Sequence, residues 1–515
     1  MRRSSAIVVS ITLLALPALF ILSLSTRRAP SPYISGQVID DAGPVEGASV
    51  RVKGKGDSAR SDADGHFRLV RPATAERITA AKEGYFIAGI PSDAEPLVIR
   101  LSRLPEEDCT RYAWRDATPD PARPLNCGNC HEAIYDEWSA RGHAQASTNP
   151  HFVNLYGGTD RQGRADRGWN LLKEHPDGAG VCAACHAPTL PPNPQSDFDL
   201  RAAVKGNETL SGVHCDFCHK IRGAGPGEYG LTHGRFQLEL LRPGPPHAEL
   251  GSPHGELVFG PLDDVDRGDD AFSSFQRDSR LCAACHEGVV FGVPVYTTYS
   301  EWQLSPAKHE RKSCQSCHMA PTGHLTNIAP GKGGIERDPL TLANHRFFNE
   351  SQVEMLRRCL KLETKAERGA NDVRLEVSLS VSDVGHRVPT GFVDRQVILV
   401  FEPIGGDSTS RLLGGPILDP VVGAPLAGQP GRLYAKVLRD FDGHSPAPFW
   451  GADPDYLRDT RLKPGEIDTN TWTFPSETRA VRVRLLHRRF WQSVADAKGW
   501  TDNETSILER VVPVP

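Results

Sequence analysis

Methionine is nearly missing from this chain: Met1, Met319 and Met355 are the only three in 515 residues. Thioether ligands are therefore scarce, and a soft or borderline metal here would depend on thiols and imidazoles. Excess positive charge is also lacking. The formal charge is −5, which argues against a nucleic-acid partner. Long apolar runs are absent except for one, from Ala6 to Leu24, which follows Met1-Arg2-Arg3. A charged start before a stretch about long enough to span a bilayer is expected to be a signal peptide or an N-terminal membrane anchor within residues 1–30. No clear Ala-x-Ala cleavage site follows, so both expectations stand. Either places the remainder outside the cytoplasm, periplasmic or otherwise extracytoplasmic.

Cysteine and histidine are plentiful, with 12 and 19 copies. Ten of the cysteines fall in five Cys-x-x-Cys-His segments. These are Cys127, Cys130 and His131; Cys182, Cys185 and His186; Cys215, Cys218 and His219; Cys282, Cys285 and His286; and Cys314, Cys317 and His318. Chance gives about 0.01 such matches for this composition, and the pattern is that of covalent haem attachment. Two thiols about one helical turn apart can each add to a porphyrin vinyl group. The following histidine then reaches the iron as proximal ligand. Structural zinc does not require a histidine after every second cysteine. A thioredoxin-like site uses one such motif, not five. Five covalently bound haem c groups are expected.

Length suggests about three domains after the leader. Residues 33–102 read as a small β-sandwich: Ala48, Val50 and Val52 alternate with polar residues, and Asp62-x-Asp64-Gly65 marks a turn. Residues 104–350 hold all five motifs and are expected to be mainly α-helical or irregular, since porphyrins supply much of the core. Residues 371–515 are expected to form a second β-sandwich-like domain, from the alternation of Val373, Leu375, Val377, Leu379 and Val381 and the run Val397 to Val400. One internal echo stands out. Tyr-Asp-Glu-Trp (135–138) follows motif one and Tyr-Ser-Glu-Trp (299–302) follows motif four, as in a duplicated haem-plus-helix unit.

"SGQVIDDAGPVEGASVRV", "SDADGHFRL" and "EGYF" together resemble the carboxypeptidase regulatory-like domain. "CGNCHEAIYDEWSARGHAQA", "GVHCDFCHKI", "YSEWQLSPAK…SCQSCHM" and "NHRFF" resemble multihaem c-type cytochromes of the c-554 type, kin to hydroxylamine oxidoreductase. "VGHRVPTGF" with "RLKPGE" resembles the β-rich tail of some of these. Such proteins stack haems closely. Many only relay electrons, and some transform small nitrogen or sulfur compounds.

The sixth iron ligand separates these roles, since a doubly ligated iron conducts and an open one binds substrate. Met319 follows His318 and is badly placed for the opposite face of that haem, so distal ligation falls to histidine. His143, which stands where the resemblance puts a ligand, leads the candidates. His345 in "NHRFF" comes next, then His309, His247, His254, His233 and His324. His214, which abuts Cys215, can cap only a neighbouring haem, and His386 can reach one from the third domain. His66, His151, His175, His444 and His487 are read as bystanders. Close spacing favours adjacency of motifs two and three, and of four and five. The leftover Cys109 and Cys359 are either a disulfide, worth about 5 kcal/mol in the loop-entropy model, or two separate thiols. "DDVDRGDD" (263–270) is either a calcium loop by carboxylate count or a solvated loop.

Two functions follow. One is electron relay between redox partner proteins of the membrane or periplasm, with an oligomer or filament as a further form. The other is a multihaem oxidoreductase with one five-coordinate haem. Related nitrite reductases carry Lys after the second cysteine of the catalytic motif. This chain has no Cys-x-x-Cys-Lys, which weighs toward relay and assigns no catalytic residue.

Overall fold

Alternating apolar and polar residues build sheets at both ends of the chain. The computed structural model describes residues 31–190, 199–207, 210–225, 231–232, 237–245, 255–347, 352–405 and 412–515. The leader, His233, His247 and His254 lie outside these residues. Near the N-terminus, Tyr33–Asp40 pairs antiparallel with His66–Val70 and parallel with Val98–Arg100. A second sheet runs Ser58–Arg60, Ser49–Val52, Arg77–Ala81, Ala88–Pro91. The core contains Ile34, Val38, Val50, Phe67, Ile78 and Ile99. Asp62 makes the expected turn: its Oδ1 accepts the backbone N–H groups of Asp64 and His66 at 3.0 and 2.8 Å. Gly65 completes the turn at φ +74°, where a Cβ would lie 2.4 Å from the Val38 carbonyl oxygen.

The C-terminal region has two sheets. Leu360–Arg368, Asp372–Val381 and Ile467–Pro475 form the first, in that order. The second runs Arg458–Asp459, Gly431–Val437, Gln396–Ile404, Ala480–Arg488, Glu504–Pro513. The inward faces meet over Leu375, Leu379, Val397, Phe401, Trp472 and Val483. The opposite face of Gln396–Ile404 packs Ile398 and Val400 against Leu155, Tyr156 and Leu171 of the motif-bearing region. Burial on both faces explains the unbroken apolar run Val397 to Phe401. The first sheet begins at Leu360 rather than at 371. Its opening strand, LKLETKAER, alternates charged residues outward, and only Leu360 is fully buried.

The centre is mixed rather than mainly helical or irregular. Short helices alternate with strand pairs: Ile221–Ala224 with Leu238–Leu240, Val258–Gly260 with Asp270–Phe272, and Glu287–Val290 with Val293–Thr297. The acidic loop binds the N-terminal region instead of a cation or solvent. Asp263 accepts from Ser49 and Arg51 at 2.7 and 2.8 Å. Asp266 pairs with Lys53 and Arg77 at 2.6 and 2.5 Å. Asp264 takes Arg337 at 2.8 Å and the Gly54 amide at 2.7 Å. Phe86 bridges to Ala271, and the Ile87 amide donates to the Asp270 carbonyl at 2.8 Å, so backbone pairing crosses the same boundary.

Candidate functional site

Each Cys-x-x-Cys-His segment contains a turn of helix: Cys127–Asn129, Ala183–His186, Cys215–Cys218, Arg280–His286 and Cys314–His318. The turn brings the two thiols of a segment to one side. In motif one, Cys130 closes it, its backbone N–H donating to the Cys127 carbonyl at 3.2 Å. None of the ten motif cysteines is in a disulfide, so each thiol, Cys130 and Cys317 included, is free to add to a vinyl group. Cys317 is the exposed one among them, while Cys130 and the other eight are half-buried. The edge of motif five at Cys317 therefore faces solvent.

Four of the five histidines expected as proximal ligands hold Nδ1 against a backbone carbonyl. His131 faces Ile328 at 2.8 Å, His186 faces Ala146 at 2.5 Å, His219 faces Phe259 at 2.6 Å and His318 faces Phe347 at 3.2 Å. A carbonyl only accepts, so Nδ1 carries the proton and Nε2 keeps its lone pair for a metal. Burial lowers the pKa of all five. His286 is pushed down to about 3, by burial first and then by His143, His318 and Arg395. Neutral imidazole is the ligating form.

Two distal candidates stand opposite proximal rings. The His143 and His286 centroids are 6.2 Å apart, with ring planes at 70°. His318 and His386 are also 6.2 Å apart, with planes at 17°. With metal–nitrogen bonds of about 2 Å, imidazoles on opposite faces of one metal have centroids roughly 6 Å apart, so both pairs fit a shared iron. His386 Nδ1 faces the Arg387 carbonyl at 3.0 Å, which leaves its Nε2 free. His345 is pushed down to about 4, by burial and then by His219 and His131, and so lies near both of those rings.

The thiols show which attachment points are neighbours. Cys127 contacts Cys215, Cys185 contacts Cys285, and Cys282 contacts Cys314. Cys218 is an electrostatic neighbour of both Cys282 and Cys285. The second thiols of the outer motifs have cations nearby instead: Cys130 lies near Arg267, and Cys317 near Lys312. Motif four is thus central, next to two, three and five. Motif two approaches four, where the helix Ala183–His186 lies beside Arg280–His286, and also the entry to motif three, where Thr189 meets His214. Arg395 donates to the Thr390 carbonyl at 3.1 Å and lies near His286 and His386. Burial holds its pKa below the usual guanidinium range, and its ionisable neighbours are Tyr296 and Arg489. A guanidinium so placed fits a porphyrin propionate.

Other candidates fall elsewhere. His309 and His324 are exposed. His214 is buried, with Nε2 on Thr189 Oγ1 at 3.0 Å and its ring edge-on to Trp114. Among the described residues these three face no proximal histidine. Cys109 and Cys359 are separate free thiols, one beside Arg242 and the other in the C-terminal core. The echoed tryptophans have matching roles: Trp138 Nε1 donates to the Val213 carbonyl just before motif three, and Trp302 Nε1 to the Lys312 carbonyl just before motif five, both at 2.8 Å. The carbonyl partners of the proximal rings and Arg395 escaped the sequence reading. A backbone acceptor has no residue signature, and Arg395 carries no motif.

A family described as cytochrome c554 and c-prime matches residues 126–220, the stretch holding motifs one to three. With the repeated attachment segments, this defines a multihaem c-type cytochrome, a class that binds haem c covalently. The chain is also similar to a penta-heme cytochrome c552 from Thermochromatium tepidum, at 22% identity and a TM-score of 0.50, over 75% of this chain and 97% of that one. At that identity the likeness concerns the fold. No curated protein matches the chain. Among the described residues no helix is long and apolar enough to cross a membrane.

Proposed function

We propose that this protein relays electrons outside the cytoplasm through five covalently attached haems, most of them bis-histidine ligated. Each haem is assigned to the two thiols of one motif, from Cys127 and Cys130 in the first to Cys314 and Cys317 in the last. The carrying observation is the pair of imidazole couples at 6.2 Å, His143 with His286 and His318 with His386. A haem iron ligated on both faces exchanges electrons without binding substrate. The chain's part is to hold neutral imidazoles in place, keep the attachment points adjacent and exclude water. His345, buried near both His219 and His131, is proposed as the distal ligand to the haem of motif one or motif three. The leader is proposed to export or anchor the chain. Residues 33–102 are proposed as a carboxypeptidase regulatory-like β-sandwich with an accessory role, and the partners as redox proteins of the membrane or periplasm.

One observation favours the alternative, a multihaem oxidoreductase acting on a small nitrogen or sulfur compound. The His186 ring stacks on Phe152 at 3.9 Å, and among the described residues no imidazole faces it. Electron paramagnetic resonance of the oxidised protein separates the two readings. A relay gives only low-spin haem, and its reduced form binds no carbon monoxide. A high-spin signal together with a carbon monoxide complex selects the oxidoreductase.

A further inference from the structure

The two Tyr-x-Glu-Trp segments share more than an aromatic pair. Glu137, in the helix Glu132–Ser139, accepts the backbone N–H of His345 on Oε2 at 2.8 Å. Its other oxygen pairs with the Arg346 guanidinium at 3.3 Å. Glu301, in the helix Thr298–Gln303, accepts the backbone N–H of Arg387, the residue after His386, on Oε2 at 3.1 Å. The Thr390 hydroxyl donates to that same oxygen at 3.0 Å, and Arg461 pairs with Oε1 at 2.7 Å. At equivalent positions of the two units, then, a carboxylate holds the backbone at or beside a histidine that is remote in sequence. Close packing accompanies this in the second unit, where a Cβ on Gly385 would lie 3.1 Å from Trp302 Cδ1.

We propose that Glu137 and Glu301 are positioning residues for the distal imidazoles His345 and His386. The duplicated unit thus does two things: its tryptophan fixes the backbone entering a later attachment motif, and its glutamate fixes the segment that returns the sixth ligand. A charge-assisted bond to an amide is stronger than a neutral one and orients the backbone, which suits a ligand supplied from a long way along the chain. This inference rests on the bis-histidine reading above.

The test uses mature holoprotein. Spin state and carbon monoxide binding of the wild type come first, since substantial high-spin haem there would count against the relay reading itself. Glu137→Leu and Glu301→Leu are then each expected to convert about one haem per chain to a high-spin, carbon monoxide-binding form. Glu137→Gln and Glu301→Gln keep an acceptor oxygen and are expected to stay low-spin, with a shifted potential for a single haem. Arg346→Met removes the ion pair but leaves the amide bond to His345, and is expected to leave all spin states unchanged. The proposal is overturned if both leucine variants, or both glutamine variants where leucine prevents maturation, match the wild type in spin state and in every haem potential. It is equally overturned if Arg346→Met opens the same haem as Glu137→Leu.

Discussion

At the scale of single residues, the two imidazole couples differ in a way that spectroscopy can read. His318 and His386 have nearly parallel planes, whereas His143 and His286 are closer to perpendicular. Perpendicular axial imidazoles leave the iron d orbitals nearly degenerate. The haem of motif four is therefore expected to give a more anisotropic low-spin signal, with a larger highest g value, than that of motif five. His143→Ala should remove the anisotropic signal and His386→Ala the other, each yielding about one carbon monoxide-binding haem; loss of the opposite signal would refute the pairing. Asp459 offers a pH test. Burial alone would raise its carboxyl, but hydrogen bonds and charge from Arg461, at 2.9 and 2.8 Å, outweigh this and hold its pKa below the usual value. A carboxylate depressed on folding stabilises above its unfolded pKa and loses that contribution as pH falls through its folded one. Asp459→Asn should therefore lower the melting temperature at neutral pH. The gap to wild type should close as the solution is acidified below the ordinary carboxylate range.

At the scale of elements, the clasp between the acidic loop and the N-terminal sheets joins the two regions through ion pairs. Asp264 and Arg337 have 2% and 9% side-chain exposure, and the Gly54 amide joins them. Removing one partner of a buried pair strands the other, at a cost of about 3 kcal/mol. Asp264→Asn is thus expected to speed proteolytic release of the N-terminal region, with the haem spectrum kept; an unchanged cleavage rate would show that the clasp contributes little. The clasp also shows where sequence reading stops. "DDVDRGDD" announces dense negative charge, but its partners Arg51, Lys53 and Arg77 lie some two hundred positions earlier. Local pattern does not record such pairings. The alternation of Val373 to Val381 was readable because its period is local. Leu360–Arg368 was hidden because charged residues dominate its outer face.

For the whole molecule, apolar packing is uneven. The C-terminal sheets and the elements on them form two large clusters, whereas the clusters around motifs three and four are small: Phe217, Ile221 and Phe275 in one, Ala283, Tyr299 and Trp302 in the other. Clusters of that size do not stabilise a domain alone. Chain made without haem attachment is therefore expected to keep protease-resistant C-terminal sheets while the centre is cut quickly. Equal resistance of the centre would show that haem is not its main source of order. The expected attachment cysteines and proximal histidines can be named from sequence because covalent chemistry fixes their spacing within five residues. The opposing imidazoles were only candidates, because His143 and His386 meet their partners through tertiary folding.

The strand pair Val258–Gly260 and Asp270–Phe272 has one further consequence. Phe259 supplies the carbonyl for His219 Nδ1, Ala271 is its register partner, and Ala271 bridges to Phe86. Strain applied to the N-terminal sheets would thus be passed along main-chain pairing to the carbonyl that holds His219, and would reach the haem-binding centre as a shift of one imidazole.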